Sequence, residues 1–184
     1  MIPEQRKKIS KRLSLHLRHE PETLGLILER GGWVKVEDLL KGLSKRGTTL
    51  SLDQLEEIVR ESDKQRFAFD ESRTQIRANQ GHSVEVDLEL EQTVPPKILY
   101  HGTGTHNHLP ILEEGIKKIC RHHVHLSESR DTARAVGARH GKPLIFAVDS
   151  SAMGRAGFVF YCSHNGVWLT DFVPAEFLKV LGGI

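Results

Sequence analysis

The chain has 184 residues, of which 38% are hydrophobic, enough for one domain or two small ones with real cores. No run of roughly eighteen apolar residues occurs and no apolar stretch follows the charged N-terminus, so we expect neither a membrane span nor secretion. Two distant cysteines, Cys120 and Cys162, indicate a reduced cytoplasmic protein. A net charge of +2 is too small to identify a nucleic-acid partner.

The chain begins with a predicted helix that runs from Glu4 to about His19. Its apolar residues recur every four positions, and lysines and arginines occupy the other faces. Pro21 stops the helix, so Arg18 and His19 fall in its last turn. Cations at this position either complement the helix dipole or form a surface that meets a phosphate.

The elements that follow predict a winged helix-turn-helix unit. A turn or short strand precedes a short helix, and Ser51-Leu52-Asp53-Gln54 is a capping box that opens a clear helix. The stretches 66–69 and 75–78 have the composition of two strands joined by a turn. Helix, short helix, helix and hairpin is the order of a winged helix, a fold that usually binds nucleic acid.

Candidate phosphate-binding residues lie on this hairpin and just after it. A glycine between hydrogen-bonding side chains lets the backbone approach a ligand, and arginine, histidine and serine donate to phosphate oxygens. A polar turn that merely ends the hairpin is the alternative. The candidates are Arg66, Arg77, Gln80, Gly81, His82 and Ser83.

The second half of the chain is rich in short strands with helices between them. An alternating stretch at 85–91 is either a strand or an acidic linker, and Pro95-Pro96 marks the boundary. A strand at 98–100 then ends in His101-Gly102-Thr103, an arrangement that often grips a cofactor. Helices are predicted at 108–114 and 131–140, and strands at 144–149, 158–161 and 167–170. No Walker or G-x-G-x-x-G loop is present.

Six of the eleven histidines lie between residues 101 and 125. The stretch 121–127 combines an arginine with three of these histidines and ends as a half-buried strand, which places His123 and His125 on one face. An edge strand whose histidines face water is the plain alternative. A zinc site is disfavoured, because neither the paired ligand motifs nor H-E-x-x-H occur.

Taken together, these motifs resemble the RNA 2′-phosphotransferase family, the NAD-dependent tRNA 2′-phosphotransferases. The resemblance covers nearly the whole chain. It implies an α+β fold of two lobes, with a winged-helix RNA lobe at 1–92, an ADP-ribosyltransferase-like mixed α/β lobe at 97–184, and the active site between them. The motifs are Leu17-Arg18-His19, Asp63-Lys64-Gln65-Arg66-Phe67, Gln80-Gly81-His82-Ser83, Tyr100-His101-Gly102-Thr103, His123-Val124-His125-Leu126-Ser127 and Asn165-Gly166-Val167-Trp168-Leu169-Thr170.

The resemblance also implies a two-step reaction. An internal RNA 2′-phosphate attacks the nicotinamide-bearing ribose carbon of NAD, and nicotinamide leaves. The adjacent ribose hydroxyl then attacks the phosphorus, which frees 2′-OH RNA and ADP-ribose 1″,2″-cyclic phosphate. By motif match the essential set is Arg18, His19, Arg66 and Arg121. The NAD-binding positions are His101, Gly102, Thr103, His123, His125 and Ser127.

The residue types suit this chemistry. A phosphate monoester is already an anionic nucleophile, so the first step needs no general base. ADP-ribosyltransferases that modify weaker nucleophiles commonly use a glutamate on a late strand, and the corresponding stretch here, Asn165-Gly166-Val167-Trp168, has no carboxylate. Arginines suit the anionic second step. We therefore expect a cytoplasmic monomer that needs no metal and whose partners are NAD and tRNA-like RNA that carries an internal 2′-phosphate. The alternatives are an ADP-ribosyltransferase that caps terminal phosphates and a non-catalytic nucleic-acid reader.

Overall fold

A computed structural model of the chain describes residues 1–62 and 64–181. Asp63, which belongs to one of the motifs above, lies outside the described residues. The chain divides into two compact units, Met1–Glu89 and Leu90–Ile184, called here the N-terminal and C-terminal units. Both combine helices with small antiparallel sheets, which confirms the predicted mixture of α and β elements. No helix within the described ranges is long and apolar enough to cross a bilayer.

The N-terminal unit is built from helices packed beside a small antiparallel sheet with the strand order β1-β3-β2. The predicted capping box is confirmed, because the Gln54 N–H donates to Ser51 Oγ and the Ser51 N–H donates to Gln54 Oε1. The predicted hairpin is confirmed as well. The elements are α1 (Pro3–Arg18), β1 (Trp33–Lys35), α2 (Val36–Lys45), α3 (Leu52–Arg60), β2 (Phe67–Phe69) and β3 (Gln75–Ala78).

One hydrophobic core holds this unit together. Leu13 and Leu17, from the predicted apolar stripe of α1, are completely buried. They share the core with apolar side chains of α2, α3 and β3. Burying one such side chain contributes about 1.5–3 kcal/mol, so the packing of this stripe fixes the direction in which α1 ends. The other core residues with no more than 1% exposure are Leu39, Leu43, Leu55, Ile58, Ile76 and Ala78.

The alternating stretch at 85–91 forms no strand within the described residues, so the strand interpretation is wrong. Its first part runs along the N-terminal unit, where the Asp87 carbonyl accepts a hydrogen bond from the Gly31 N–H (2.7 Å). Arg30 forms exposed ion pairs with Asp87 and Glu89. The alternation of acidic and apolar residues here comes from a segment that covers a surface without joining a sheet.

The C-terminal unit contains several small antiparallel sheets with short helices between their strands. Two of the sheets are three-stranded, in the orders β11-β7-β4 and β6-β9-β8, and β10 pairs with β5. The elements are β4 (Leu99–Gly104), α4 (His108–Glu114), β5 (Ile116–Lys117), β6 (Val124–Leu126), α5 (Arg130–Gly137), β7 (Pro143–Val148), α6 (Ser150–Arg155), β8 (Tyr161–Cys162), β9 (Trp168–Thr170), β10 (Phe172–Val173) and β11 (Leu178–Val180).

Two predicted strands differ from the structure. The strand predicted to stop at Tyr100 continues to Gly104, because β7 pairs with it over that whole length. His101-Gly102-Thr103 therefore lies within the strand and not at its end. The strand predicted at 158–161 is confined to β8, which includes only its last residue, Tyr161. Backbone hydrogen bonds between Tyr100 and Ser127 join β4 to the end of β6.

Helix α5 lies directly on β4 because both elements carry glycine at the contact. A Cβ atom added to Gly102 would lie 1.7 Å from the Ala133 carbonyl oxygen. From the other side, a Cβ atom on Gly137 would lie 2.7 Å from the Thr103 carbonyl oxygen. No backbone can accommodate the first overlap without moving. Gly102 thus allows the helix to approach the strand that carries His101 and Thr103.

Gly102→Ala tests this contact. We expect it to lower the free energy of unfolding of the C-terminal unit by about 1–3 kcal/mol, the usual cost of overpacking. Denaturant unfolding followed by the fluorescence of Trp168, which belongs to this unit, would measure the change. The matched control is Gly154→Ala on α6, where an added Cβ meets nothing within 4 Å. Equal stability of the two variants would contradict the packing described here.

Candidate active site

The end of α1 is held by the segment that follows β3. The Arg18 carbonyl accepts hydrogen bonds from the backbone N–H groups of Ser83 (2.9 Å) and Val84 (3.4 Å). The side chain of Ser83 forms a hydrogen bond with Nδ1 of His19 (2.8 Å). Ser83 is exposed and His19 is half-buried, so the imidazole is oriented while its ring still reaches solvent.

The side chain of Arg18 lies against the same segment. Only 9% of Arg18 is exposed. A Cβ atom on Gly81 would lie 3.5 Å from a terminal nitrogen of the Arg18 guanidinium. Gly81 also has a φ of +88°, a conformation that side-chain-bearing residues rarely adopt. The close backbone approach predicted for Gly81 therefore includes an approach to Arg18.

Asn79 connects this segment to Arg66. Its backbone N–H donates to the Arg66 carbonyl (2.9 Å), and its side-chain amide donates to the Gln65 carbonyl (2.6 Å). Gln65 adopts a φ of +40°, and a buried amide that bonds its carbonyl helps to hold this strained turn. Residues 79–83, called here the anchoring segment, thus contact the backbone of Arg66 at one end and that of Arg18 at the other. Sequence reasoning missed Asn79.

Two predicted phosphate-binding residues are directed into the protein. His82 is 1% exposed and packs near Gly32, while its neighbour Gln80 is half-buried. The Arg77 guanidinium lies 4.5 Å from the ring centroid of Trp33 and donates to the Gly31 carbonyl (3.3 Å). Burial lowers the pKa of Arg77, and Glu89 opposes this shift. These contacts give Arg77 and His82 structural roles, and their contact with phosphate stays a prediction.

In the C-terminal unit, the central residue of the predicted NAD motif has a defined tautomer. His101 Nδ1 lies 3.1 Å from the His125 carbonyl oxygen, which can only accept a hydrogen bond. Nδ1 therefore carries the proton, and Nε2 of the neutral ring is an acceptor. Burial lowers the pKa of His101 below its usual 6.5, an effect that the bond to His125 opposes and nearby His140 reinforces. The neutral form is thus favoured.

Contacts around β4 and β6 fix the other predicted NAD-binding positions. Thr103 is buried, and its hydroxyl oxygen accepts a hydrogen bond from the Asn107 side chain (2.8 Å). The backbone of Ser127 exchanges two hydrogen bonds with that of Tyr100 (2.8 and 2.9 Å). His101, His125 and Ser127 are therefore brought together. Gly102 serves the packing of α5, and Asn107 is a residue that sequence reasoning missed.

His123 and Arg121 occupy different environments from the β4 motif. The ring of His123 packs edge-on against Tyr161 of β8, with 5.6 Å between centroids. Burial lowers the pKa of His123, while Asp171 raises it and His122 and Lys118 lower it further. Arg121 is exposed on the connection from β5 to β6. The predicted strand is confirmed, with Val124 and Leu126 buried and His125 half-buried between them.

Glu128 is a further residue that the sequence did not single out. Its carboxylate accepts a hydrogen bond of 2.7 Å from Trp168 Nε1. This bond ties the residue after Ser127 to β9. Among residues 1–62 and 64–181, no three His, Cys, Asp or Glu side chains are grouped so that they could hold a metal ion.

The lowered pKa values of His101 and His123 predict how stability depends on pH. Both rings take up a proton more readily in the unfolded chain. Their contribution is therefore complete above about pH 6.5, and it is lost as the pH falls toward the lower folded-state pKa values. We expect the free energy of unfolding of the C-terminal unit, followed by Trp168 fluorescence, to fall as the pH is lowered below about 6.5.

His101→Asn provides the matched variant, because its amide can still donate to the His125 carbonyl but does not titrate. We expect a shallower loss of stability toward acid pH in this variant than in the wild type. His164→Asn, which removes an exposed imidazole, is the matched control. An unchanged slope in His101→Asn would show that His101 does not contribute.

The chain is similar to a set of named proteins over almost its full length. A family model described as RNA 2′-phosphotransferase, Tpt1 / KptA family, matches residues 4–172. A probable RNA 2′-phosphotransferase of Trichormus variabilis is 58% identical over 174 residues, which is 95% of this chain and 96% of the relative. One of Fusobacterium nucleatum is 49% identical over 173 residues, 94% of this chain and 97% of the relative.

The match includes the segments that hold Arg18, His19 and Arg66 in the N-terminal unit and His101, His125 and Ser127 in the C-terminal unit. A family model that covers so much of the chain, together with identities near one half, confirms the resemblance drawn from the motifs. The chain belongs to the RNA 2′-phosphotransferase (Tpt1 / KptA) family.

Proposed function

We propose that the protein removes an internal RNA 2′-phosphate in an NAD-dependent reaction, by ADP-ribosylation of the phosphate and then transesterification. The observation that carries this proposal is the anchoring segment, which binds the ends of two arginine-bearing elements and orients His19. Catalysis of phosphate chemistry depends mostly on positioning and on the stabilisation of charge, so arginines on elements that are held in place support this proposal. The family name and the relatives' names support an RNA 2′-phosphate as the substrate.

In this proposal, Arg18, Arg66 and Arg121 bind the phosphate and stabilise the negative charge that grows on it in the second step. Arginine suits this role because its charge is permanent and its planar fork donates to two oxygens at once. His19 donates a hydrogen bond or transfers a proton, and its bond to Ser83 fixes the ring for either task. Ser83 is thus a positioning residue for His19.

In this proposal, the co-substrate NAD binds the C-terminal unit at β4 and β6. His101 Nε2 is an acceptor that suits a ribose hydroxyl, because Nδ1 is already committed to the His125 carbonyl. The other proposed NAD-binding positions are Gly102, Thr103, His123, His125 and Ser127. NAD supplies an electrophilic ribose carbon whose bond to nicotinamide breaks when the RNA phosphate attacks. No metal ion is required for this chemistry.

No carboxylate is needed to activate a nucleophile that is already an anion. The turn before β9 carries Asn165 and Gly166, and the nearby carboxylate of Glu128 is hydrogen-bonded to Trp168. Both observations support an acceptor that brings its own negative charge. We further propose a winged-helix RNA lobe at 1–92 and an ADP-ribosyltransferase-like lobe at 97–184, in a cytoplasmic monomer.

The decisive experiment mixes the protein, without added metal, with NAD and an oligoribonucleotide that carries one internal 2′-phosphate. We expect free nicotinamide and RNA with a 2′-hydroxyl, measured by chromatography and mass spectrometry. A stable ADP-ribosylated product without loss of phosphate would favour a capping transferase instead. RNA binding without consumption of NAD would identify a non-catalytic reader.

Replacement of the proposed phosphate-binding arginines should separate the two steps. We expect Arg66→Ala and Arg121→Ala to lower kcat by about 100-fold or more, the usual effect of removing a preorganised charge-stabilising group. A variant that impairs the second step more than the first should accumulate RNA carrying ADP-ribose on its 2′-phosphate. Unfolding curves should match those of the wild type, and unchanged turnover would remove the residue from the proposed set.

The role of Ser83 can be tested with a matched pair. Ser83→Ala removes the hydrogen bond to His19, and we expect a loss in kcat of about 3- to 10-fold, which is the value of one such bond. Ser83→Thr keeps a hydroxyl and should restore most of the rate. Because Ser83 is exposed, neither variant should change the free energy of unfolding greatly. Equal rates in both variants would contradict the positioning role.

A further inference from the structure

Helix α1 has a strongly basic surface that the proposed chemistry does not use. Arg6, Lys7, Lys8, Lys11 and Arg12 lie on this helix, and Glu4 is its only acidic residue. Lys7, Lys8 and Lys11 are exposed, whereas Arg12 is partly buried. Lys7, Lys8, Lys11 and Arg12 together are called here the α1 basic surface.

The three lysines of this surface form no ion pair with any residue that the structure describes. In the part of the chain that the structure describes, ion pairs engage Arg6, Arg30, Arg60 and Arg73, but none of the three lysines. Three ammonium groups within two turns of one helix repel one another. An external polyanion that binds here therefore reduces this repulsion and gains three lysines that form no ion pair within the described residues.

A pocket of about 400 Å³ adjoins the surface, between α1 and the loop from α2 to α3. Arg12 forms one wall and is fixed by hydrogen bonds to the Thr48 hydroxyl and the Arg46 carbonyl. None of the residues that line the pocket is acidic. Its polar lining residues are Gln5, Lys8, Arg12, Thr48, Thr49 and Gln54, which offer donors to a phosphate group.

The helix connects this surface to the proposed catalytic residues. Lys11 and Lys7 precede Arg18 by seven and eleven residues, close to two and three whole turns, so all three lie along one side of α1. At 1.5 Å per residue the separations along the axis are about 10 Å and about 17 Å. One strand of a stacked duplex rises about 3.4 Å per nucleotide, so this span corresponds to about three to five nucleotides.

Helix α3, which takes the place of the reading helix in the predicted winged-helix order, has the opposite charge. It carries Asp53, Glu56 and Glu57 against a single Arg60, which is itself paired with Glu61. Carboxylates on this face repel a phosphodiester backbone, whereas the cations of α1 attract it. The charge distribution of the N-terminal unit therefore favours α1 over α3 as its nucleic-acid surface.

We propose that the α1 basic surface and the adjoining pocket bind the phosphodiester backbone of the RNA substrate, about three to five nucleotides away from the reacting 2′-phosphate. This inference rests on the proposed function for the position of the reacting phosphate. The surface is a sequence-independent contact that raises the affinity for longer RNA. It takes no part in the chemistry.

The test compares one short substrate, two long substrates and two triple variants. The short substrate is a ribonucleotide dimer with the 2′-phosphate. One long substrate extends the dimer by about eight nucleotides on its 5′ side and the other by about eight on its 3′ side, beyond the estimated span. The variant Lys7→Gln/Lys8→Gln/Lys11→Gln removes the exposed lysines. The control Arg30→Gln/Arg60→Gln/Arg73→Gln removes the same charge from side chains that are already paired with carboxylates.

We expect the lysine variant to raise KM for the long RNA by roughly tenfold and to reduce the slope of log KM against log salt by about 2, since each phosphate contact in a single strand contributes about 0.7. Its kcat, and its kcat/KM for the dimer, should stay within about twofold of the wild type. The control variant should behave as wild type with the dimer and with both long substrates. The long substrate whose KM rises in the lysine variant shows whether the 5′ or the 3′ side of the RNA crosses the α1 basic surface.

Three outcomes would overturn the proposal: an unchanged KM for long RNA, an equal loss with the dimer, or an equal loss in the control variant. Failure of the proposed function is distinguishable, because the wild type would then process neither substrate. In that case the binding of an unmodified oligoribonucleotide, followed by fluorescence anisotropy over a range of salt, still decides whether the three lysines contact RNA.

Discussion

The N-terminal candidate site depends on one set of hydrogen bonds to backbone carbonyls, by which the anchoring segment and Val84 hold the end of α1 and the turn before β2. The Arg18 carbonyl, at the end of α1, accepts N–H groups from Ser83 and Val84, and Asn79 holds the backbone of Gln65 and Arg66. Side chains that must stabilise a phosphate gain little from charge alone if they are free to move. Here the buried core of α1 sets the direction of the helix, and the anchoring segment joins its end to the start of β2.

The sequence predicted the elements with strong local signals. The capping box at Ser51, the helix at 108–114 and the hairpin of the N-terminal unit are all found where expected. Local patterns failed where a partner strand decided the outcome. Pairing with β7 extends β4 through Gly104, and the alternation at 85–91 follows a surface instead of a strand. For the stretch 85–91, period-two alternation cannot distinguish a half-buried strand from a segment that lies on a surface, because both expose every second residue.

The candidate residues were recognisable by type and motif, but their roles were not. His101 was predicted to contact NAD, yet only the structure shows that its Nδ1 is bound to the His125 carbonyl. Gly102 was predicted to bind the cofactor, which stays a prediction, and only the structure shows that it also makes room for α5. The small residues Ala133 and Gly137, four apart on the helix, were a signal for that contact. Asn79 and Glu128 act through single long-range hydrogen bonds, for which local sequence gives no signal.

The spacing within the anchoring segment has a consequence for how this protein tolerates change. Connections between elements usually accept insertions and deletions, since their ends are far from anything that requires precision. This one is fixed at both ends, by Asn79 to the turn before β2 and by Ser83 to the end of α1. A single added residue would leave every side chain of the proposed site intact and still shift one anchor relative to the other. Loop length is therefore as much a part of this site as residue identity.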